Sequence, residues 1–162
     1  MKFLKNNEIL DIQEASEKDA KDFSAFLEKV KKESKFIVLK DSGVSKSKEE
    51  LIEYLKELKN KVLSKLFLGK VSGNIVASGG IYHRESSIEG NVVLDINVLN
   101  DYIGLGTEEH ILNHVINYAR ITAEIKSIDI LTEKEEDLIP TYKSLGFKEI
   151  PADKDDVSLK AE

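Results

Sequence analysis

Cysteine is absent from the 162 residues. That excludes a disulfide framework, a thiolate nucleophile and a metal held by thiolates. The sequence also lacks any apolar run long enough to span a bilayer. Its start, MKFLKNNEILD, is too short and too polar to read as a signal peptide. Positive charge is in deficit: 24 Lys and Arg stand against 30 Asp and Glu, a net charge of −6. A large nucleic-acid footprint needs a basic surface, so neither nucleic acid nor a membrane is expected as a partner. The lysine-rich stretches 29–35 and 56–61 are interrupted by acidic or apolar residues and read as helix surface. An acidic chain is compatible with a cationic amine substrate, although charge of this sign mainly reports solubility. A cytoplasmic protein is the simplest reading.

Hydrophobic content of 41% and charged content of 33% suit one globular domain over residues 1–162, with 151–162 as a polar C-terminal tail. The chain is organised around Val92 to Arg120. Val92, Leu94, Ile96 and Val98 alternate as in a β-strand, Gly104 and Gly106 interrupt, and Ile111, Leu112, Val115, Ile116 and Ala119 follow at helical spacing. A strand, a two-glycine turn and a helix start together present unpaired backbone N–H groups and a partial positive charge. Such a place can hold an anion, typically a phosphate. Many connections of this kind bind nothing, so the turn alone is weak evidence.

The rest of the chain supplies a sheet around this unit. Residues 8–14 alternate as a short strand, and Ser16 with Asp19 signals a helix start whose apolar face is Ala20, Phe23, Leu27 and Val30. Residues 36–39 are a short apolar run. Ser47 with Glu50 repeats the capping signal before a helix through about Lys61, with Leu51, Leu55, Leu58 and Val62 as its stripe. Strands are expected at 65–71 and 75–83, joined by Ser72-Gly73-Asn74, whose residues suit positive φ. After the central helix come a strand at 127–131, a short helix at 137–144 with Pro140 in its first turn, and a strand from Phe147. The order β-α-α-β-β-β-α-β-α-β predicts an α/β (α+β) fold: a mixed, largely antiparallel central sheet with helices on both faces.

Two motifs in this order resemble the GNAT superfamily of N-acetyltransferases. The first is R/Q-x-x-G-x-G/A between the central strand and helix. Matching G-x-G to Gly104-Leu105-Gly106 would put Asp101 at the Arg/Gln position. The preferred register is Ile103-Gly104-Leu105-Gly106-Thr107-Glu108, in which Ile103 replaces Arg/Gln and Glu108 replaces the last small residue. The second motif is similar to the family's closing Y-x-x-L-G-F, here Tyr142-Lys143-Ser144-Leu145-Gly146-Phe147. The family usually adds one more closing strand, so this chain looks short or altered at its C-terminus.

The resemblance implies an acyl-CoA N-acyltransferase fold and transfer of an acetyl group from acetyl-CoA to a primary amine of a small molecule or protein. Backbone groups of Ile96, Asn97 and Val98 would pair with the pantetheine arm. N–H groups from Gly104 to Glu108 would hold the pyrophosphate, with Ile103 at the motif's first position in the cofactor-binding segment. Tyr142 matches the residue that protonates the departing thiolate; its other reading is a packed Tyr with its hydroxyl on a backbone group. Asp95 and Asn97 could face the acyl site through a bulge or form the polar side of a strand. The bland reading suits Asn97, and Asp95 stays open as a catalytic candidate. Glu135 stands where the family has a pantetheine-binding Asn, and Val92 where one branch has a general-base Glu. Thr107 as helix cap, with Glu108 and Glu109 as ordinary first-turn acids, is the bland reading of the turn. If Glu108 instead faces the phosphate, CoA binding is expected but weakened.

His110 and His114 are four apart, a metal-compatible spacing, but no third ligand is evident and no metal is expected. His83 and Glu85 read as turn residues near where family members receive substrate. The resemblance also allows a homodimer. An alternative function keeps the fold without turnover, as a CoA-sensing or protein-interaction module, motivated by Ile103, Glu108 and Val92.

Overall fold

The computed structural model describes residues 1–33, 47–83, 89–131, 143–144, 147–151 and 157–161. Apolar alternation builds a mixed sheet of β1 (Lys2–Phe3), β2 (Ile9–Glu14), β3 (Lys65–Val71), β4 (Asn74–His83), β5 (Asn91–Val98), β6 (Ser127–Leu131), β7 (Phe147–Pro151) and β8 (Val157–Ala161). Their order across the sheet is β1-β2-β3-β4-β5-β6-β8-β7. Neighbours are antiparallel except β5 and β6, which are parallel and joined over one face by α3 (Thr107–Ile121). A parallel pair requires such a crossover. The hairpin between β3 and β4 turns at Ser72 and Gly73, with φ of 51° and 82°, as the residue types predict.

Helices cover both faces. α3 buries Ile111, Leu112, Val115, Ile116 and Ala119 against the sheet. It approaches so closely that a Cβ on Gly79 of β4 would stand 2.4 Å from Ile111 Cγ2. On the other side α1 (Ala20–Glu33) buries Ala20, Phe23, Phe26, Leu27 and Val30, and α2 (Lys48–Leu58) packs beside it through Leu51, Leu55 and Leu58. Each of these larger apolar side chains stabilises the fold by about 1.5–3 kcal/mol through its removal from water. α2 ends at Leu58, a turn earlier than the spacing predicts, and Val62 is left exposed.

Both capping signals form. The Glu50 N–H donates to Ser47 Oγ at 3.2 Å, and the Ser47 N–H donates to Glu50 Oε1 at 3.3 Å. At the first helix the Ser16 N–H donates to Asp19 Oδ2 at 2.9 Å, and one 3₁₀ turn, Glu17–Asp19, precedes α1. Asp19 also accepts from Lys70 Nζ at 2.8 Å, which ties α1 to β3. Burial pushes the Asp19 carboxyl up, but the bonds from Lys70 and Ser16 and the Lys70 charge outweigh it and hold the pKa below its ordinary 3.8. A depressed carboxyl stabilises the fold above its unfolded pKa and loses that contribution as pH falls through the folded value. Asp19→Asn is therefore expected to cost about 1–2 kcal/mol at pH 7. The difference from wild type should close below pH 3.8; urea melts across pH check it, and a constant gap would refute the linkage.

The C-terminal tail is corrected. Residues 157–161 form β8, inserted between β6 and β7, with Ile130 opposite Leu159 and Glu149 opposite Leu159 on the other side. Val157, Leu159 and Ala161 alternate, but the polar stretch before them hides the pattern. The further closing strand expected of the family is present as β8. Of the expected helix 137–144, Lys143 and Ser144 are helical; the rest, with Tyr142 and Glu135, lies outside the described residues, as do Phe36 to Leu39 and Glu85.

Candidate active site

β5 is paired differently on its two sides. Against β4 the register is continuous from Val92 opposite His83 to Val98 opposite Ala77. Against β6 it runs from Asn91 opposite Ser127 to Leu94 opposite Ile130. From Asp95 to Val98, β5 therefore continues with β4 as its described partner. Strand backbone that a neighbouring strand does not take up can pair with an extended ligand, as a sheet edge does with a peptide. Ile96, Asn97 and Val98 all lie on this stretch.

Past Leu99 the chain makes a 3₁₀ turn, Asn100–Tyr102, and then the two-glycine turn. Gly104 and Gly106 have φ of 82° and 92°, values that side chains with a Cβ rarely adopt. Gly106 is the residue that caps α3. Thr107 is thus not the cap; it is the first helical residue, and its Oγ1 donates to the Tyr102 carbonyl at 2.8 Å. The left-handed glycine starts the helix one residue sooner than a Thr cap would.

Glu108 is not a solvated first-turn acid either. Its Oε1 accepts from the Gly104 N–H at 3.2 Å, and the residue is 9% exposed. Burial raises its pKa, while the Gly104 bond pulls the other way. Ile103, Gly104, Leu105, Gly106, Thr107 and Glu108 are therefore brought together around one set of backbone donors, with a carboxylate already on one of them. Ile103, in the Arg/Gln position, is half-exposed.

Contacts invisible in the sequence hold this turn. The Lys5 N–H, in the loop between β1 and β2, donates to the Leu105 carbonyl at 3.0 Å. Tyr102 Oη donates to Glu8 Oε2 at 3.4 Å. Neither has a local signal, because the partners are about a hundred residues apart in the chain.

On the other face of β5, Asp95 and Asn97 are buried, not solvated, and no register shift bulges the strand there. Asn97 Nδ2 donates to Asp95 Oδ2 at 3.2 Å, and Asn97 Oδ1 is buried with no hydrogen-bond partner among the described residues. Gly80 is the cross-strand partner of Asp95. A Cβ on Gly80 would meet the Tyr82 hydroxyl at 2.4 Å, so that phenol lies over the position opposite Asp95. Tyr82 is buried and escaped the sequence reading because its strand reads as apolar filler.

The histidines do not converge. His114 packs edge-on against Phe67 at 4.7 Å between ring centres, and burial, then the Lys2 charge, lower its pKa. The His110 ring lies beside Gly106. The His83 N–H donates to Ser64 Oγ at 2.9 Å at the end of β4. Among the described residues, no helix is long and apolar enough to cross a membrane.

No protein-family model and no curated protein sequence matches this chain. Its fold matches solved structures along nearly its whole length. The acetyltransferase of the GNAT family from Streptococcus pneumoniae is 23% identical, covers 94% of this chain and 98% of its own, and superposes with a TM-score of 0.79. The ribosomal-protein-S5-alanine acetyltransferase from Vibrio fischeri is 12% identical over 93% and 91%, with a TM-score of 0.74. The PaiA N-acetyltransferase from Thermoplasma acidophilum, in complex with coenzyme A, is 14% identical over 95% and 99%, with a TM-score of 0.71. The chain has the GNAT acyl-CoA N-acyltransferase fold, as the two motifs implied.

Proposed function

We propose that this protein is an N-acetyltransferase that moves an acetyl group from acetyl-CoA to a primary amine. The observation that carries the reading is β5 leading directly into the two-glycine turn and α3, within a fold shared with solved acetyltransferases. A solved neighbour of this fold holds coenzyme A. In the proposed reaction the pantetheine arm pairs with the backbone of Ile96 to Val98, and N–H groups from Gly104 to Glu108 receive the diphosphate. The neutral amine nitrogen attacks the thioester carbonyl carbon, and the carbon–sulfur bond breaks. Asp95 accepts the proton lost by the amine, and the Tyr142 hydroxyl gives one to the CoA sulfur. Most of the rate comes from holding amine and thioester together.

Release of free thiol from acetyl-CoA across polyamines, aminoglycosides, amino acids and peptides tests the proposal. Tyr142→Phe is expected to lower kcat by about 10²-fold or more with KM for acetyl-CoA unchanged. An unaltered kcat would return Tyr142 to a packing role. The alternative, a CoA-sensing or protein-interaction module, draws on the Glu108 carboxylate seated in the turn. CoA binding without thiol release on any acceptor would select it.

A further inference from the structure

The two-glycine turn has an occupant of its own. Its donors are the backbone N–H groups that a diphosphate would need, and one of them, on Gly104, is already given to Glu108. A carboxylate and a phosphate oxygen are chemically alike as acceptors: both are anionic, and both gain from the partial positive charge at a helix start. Glu108 sits in the first turn of α3, four residues after Gly104, so its side chain reaches back over the turn it follows. The turn is also braced, from outside by the Lys5 N–H on the Leu105 carbonyl and locally by Thr107 Oγ1 on the Tyr102 carbonyl. The donors are thus preformed, and the one on Gly104 is already filled by the chain itself.

We infer that Glu108 is an internal stand-in for the cofactor diphosphate, so that CoA binds by displacing or neutralising this carboxylate. The inference rests on the acyl-CoA reading above and adds how that site is controlled. Two anions cannot share one N–H: either the Glu108 side chain swings out, or it takes up a proton and stays. Proton uptake is the favoured route, because burial already disfavours the charged form. The charges facing Glu108 are Glu109 on its own helix, which opposes ionisation, and Lys5 from the β1–β2 loop, which supports it. The His110 ring lies at the neighbouring Gly106.

The sign follows from linkage. Binding an anion beside a carboxyl raises its pKa further, so the complex holds more protons than the free protein, and affinity falls as pH rises above the ordinary carboxyl value of 4.5. Donor affinity would therefore respond to pH and to Glu108, whereas the pantetheine arm alone would respond to neither.

Calorimetric titration of CoA and of pantetheine, which lacks the diphosphate, into wild type, Glu108→Gln and Glu108→Gly across pH 5–8 tests this. Glu108→Gln keeps the size and the acceptor of the side chain and removes its charge. It is expected to bind CoA about ten- to a hundredfold more tightly than wild type at neutral pH, from the repulsion of adjacent charges at an effective dielectric near 20. The gain should shrink toward pH 5 and be absent for pantetheine. The Gly104 amide proton should also follow the Glu108 titration by NMR in wild type and not in Glu108→Gln, a readout that needs no ligand. Equal CoA affinity and equal pH slope in all three proteins would overturn the stand-in while leaving the acyl-CoA reading intact. CoA binding to none of them would overturn both.

Discussion

Gly79→Val is expected to destabilise the protein by about 3 kcal/mol, the upper end of the usual cost of overpacking a core. For a chain of this size that corresponds to a fall in Tm of roughly 6–12 °C. The cause is space and not backbone strain. A Cβ on Gly79 would stand 2.4 Å from Ile111 Cγ2 and 3.0 Å from Val115 Cγ2, and both partners are fully buried in α3. Neither side chain has a free end to move, so the helix must lift from the sheet. Lifting α3 also shifts Gly106 and the donors at its start away from the end of β5, so CoA affinity should fall with stability. Truncating the partner should repair part of the damage: Gly79→Val with Ile111→Ala should be more stable than the sum of the two single effects predicts. Neighbouring residues that share one space couple in this way. Strict additivity, or a Tm within a degree or two of wild type, would show that α3 does not pack on Gly79 as described.

Asp95→Asn is expected to lower kcat for acetyl transfer by about 10²–10⁴-fold, the range for loss of a positioned proton acceptor. The replacement has the same shape and can still bond Asn97, whose Nδ2 lies 3.2 Å from Asp95 Oδ2. Stability and KM for acetyl-CoA should therefore change little. Asp95→Ala is the contrasting variant, because it strips Asn97 of that partner inside the core and should cost about 1–3 kcal/mol as well. Thiol-release kinetics with thermal melts separate the two effects. Turnover of Asp95→Asn within a few-fold of wild type would assign proton removal to water and leave Asp95 a structural acid. The Tyr82 hydroxyl, over the residue opposite Asp95, is a further polar group at this place.

The stretch that reads most strongly in the sequence is also the one that the fold confirms most fully. Period-2 apolar residues up to Val98, two glycines and a helical stripe from Ile111 are local patterns, set by how far apart side chains stand on a strand or a helix. The same holds for the capping pairs Ser16 with Asp19 and Ser47 with Glu50, where both partners sit within four residues. Where the local pattern was weak, the reading failed. Thr107 read as a cap because its residue type suits one, yet Gly106, with φ of 92°, starts the helix. The tail read as polar because Asp and Lys outweigh three alternating apolar residues that gain a role only beside β6 and β7.

What the sequence alone determined is strands β2 to β7, helices α1 to α3 and their order, and with the two motifs the likeness to the acyl-CoA N-acyltransferase fold, because each of those elements' preference is written in residues close together along the chain. Tertiary structure alone decided that Glu108 turns inward onto Gly104, that Lys5 braces Leu105, that Asp95 and Asn97 are buried, and that β8 enters between β6 and β7. The reason is physical: a carboxylate's environment and a strand's neighbours depend on which distant surfaces packing brings together, and no spacing along the chain encodes that.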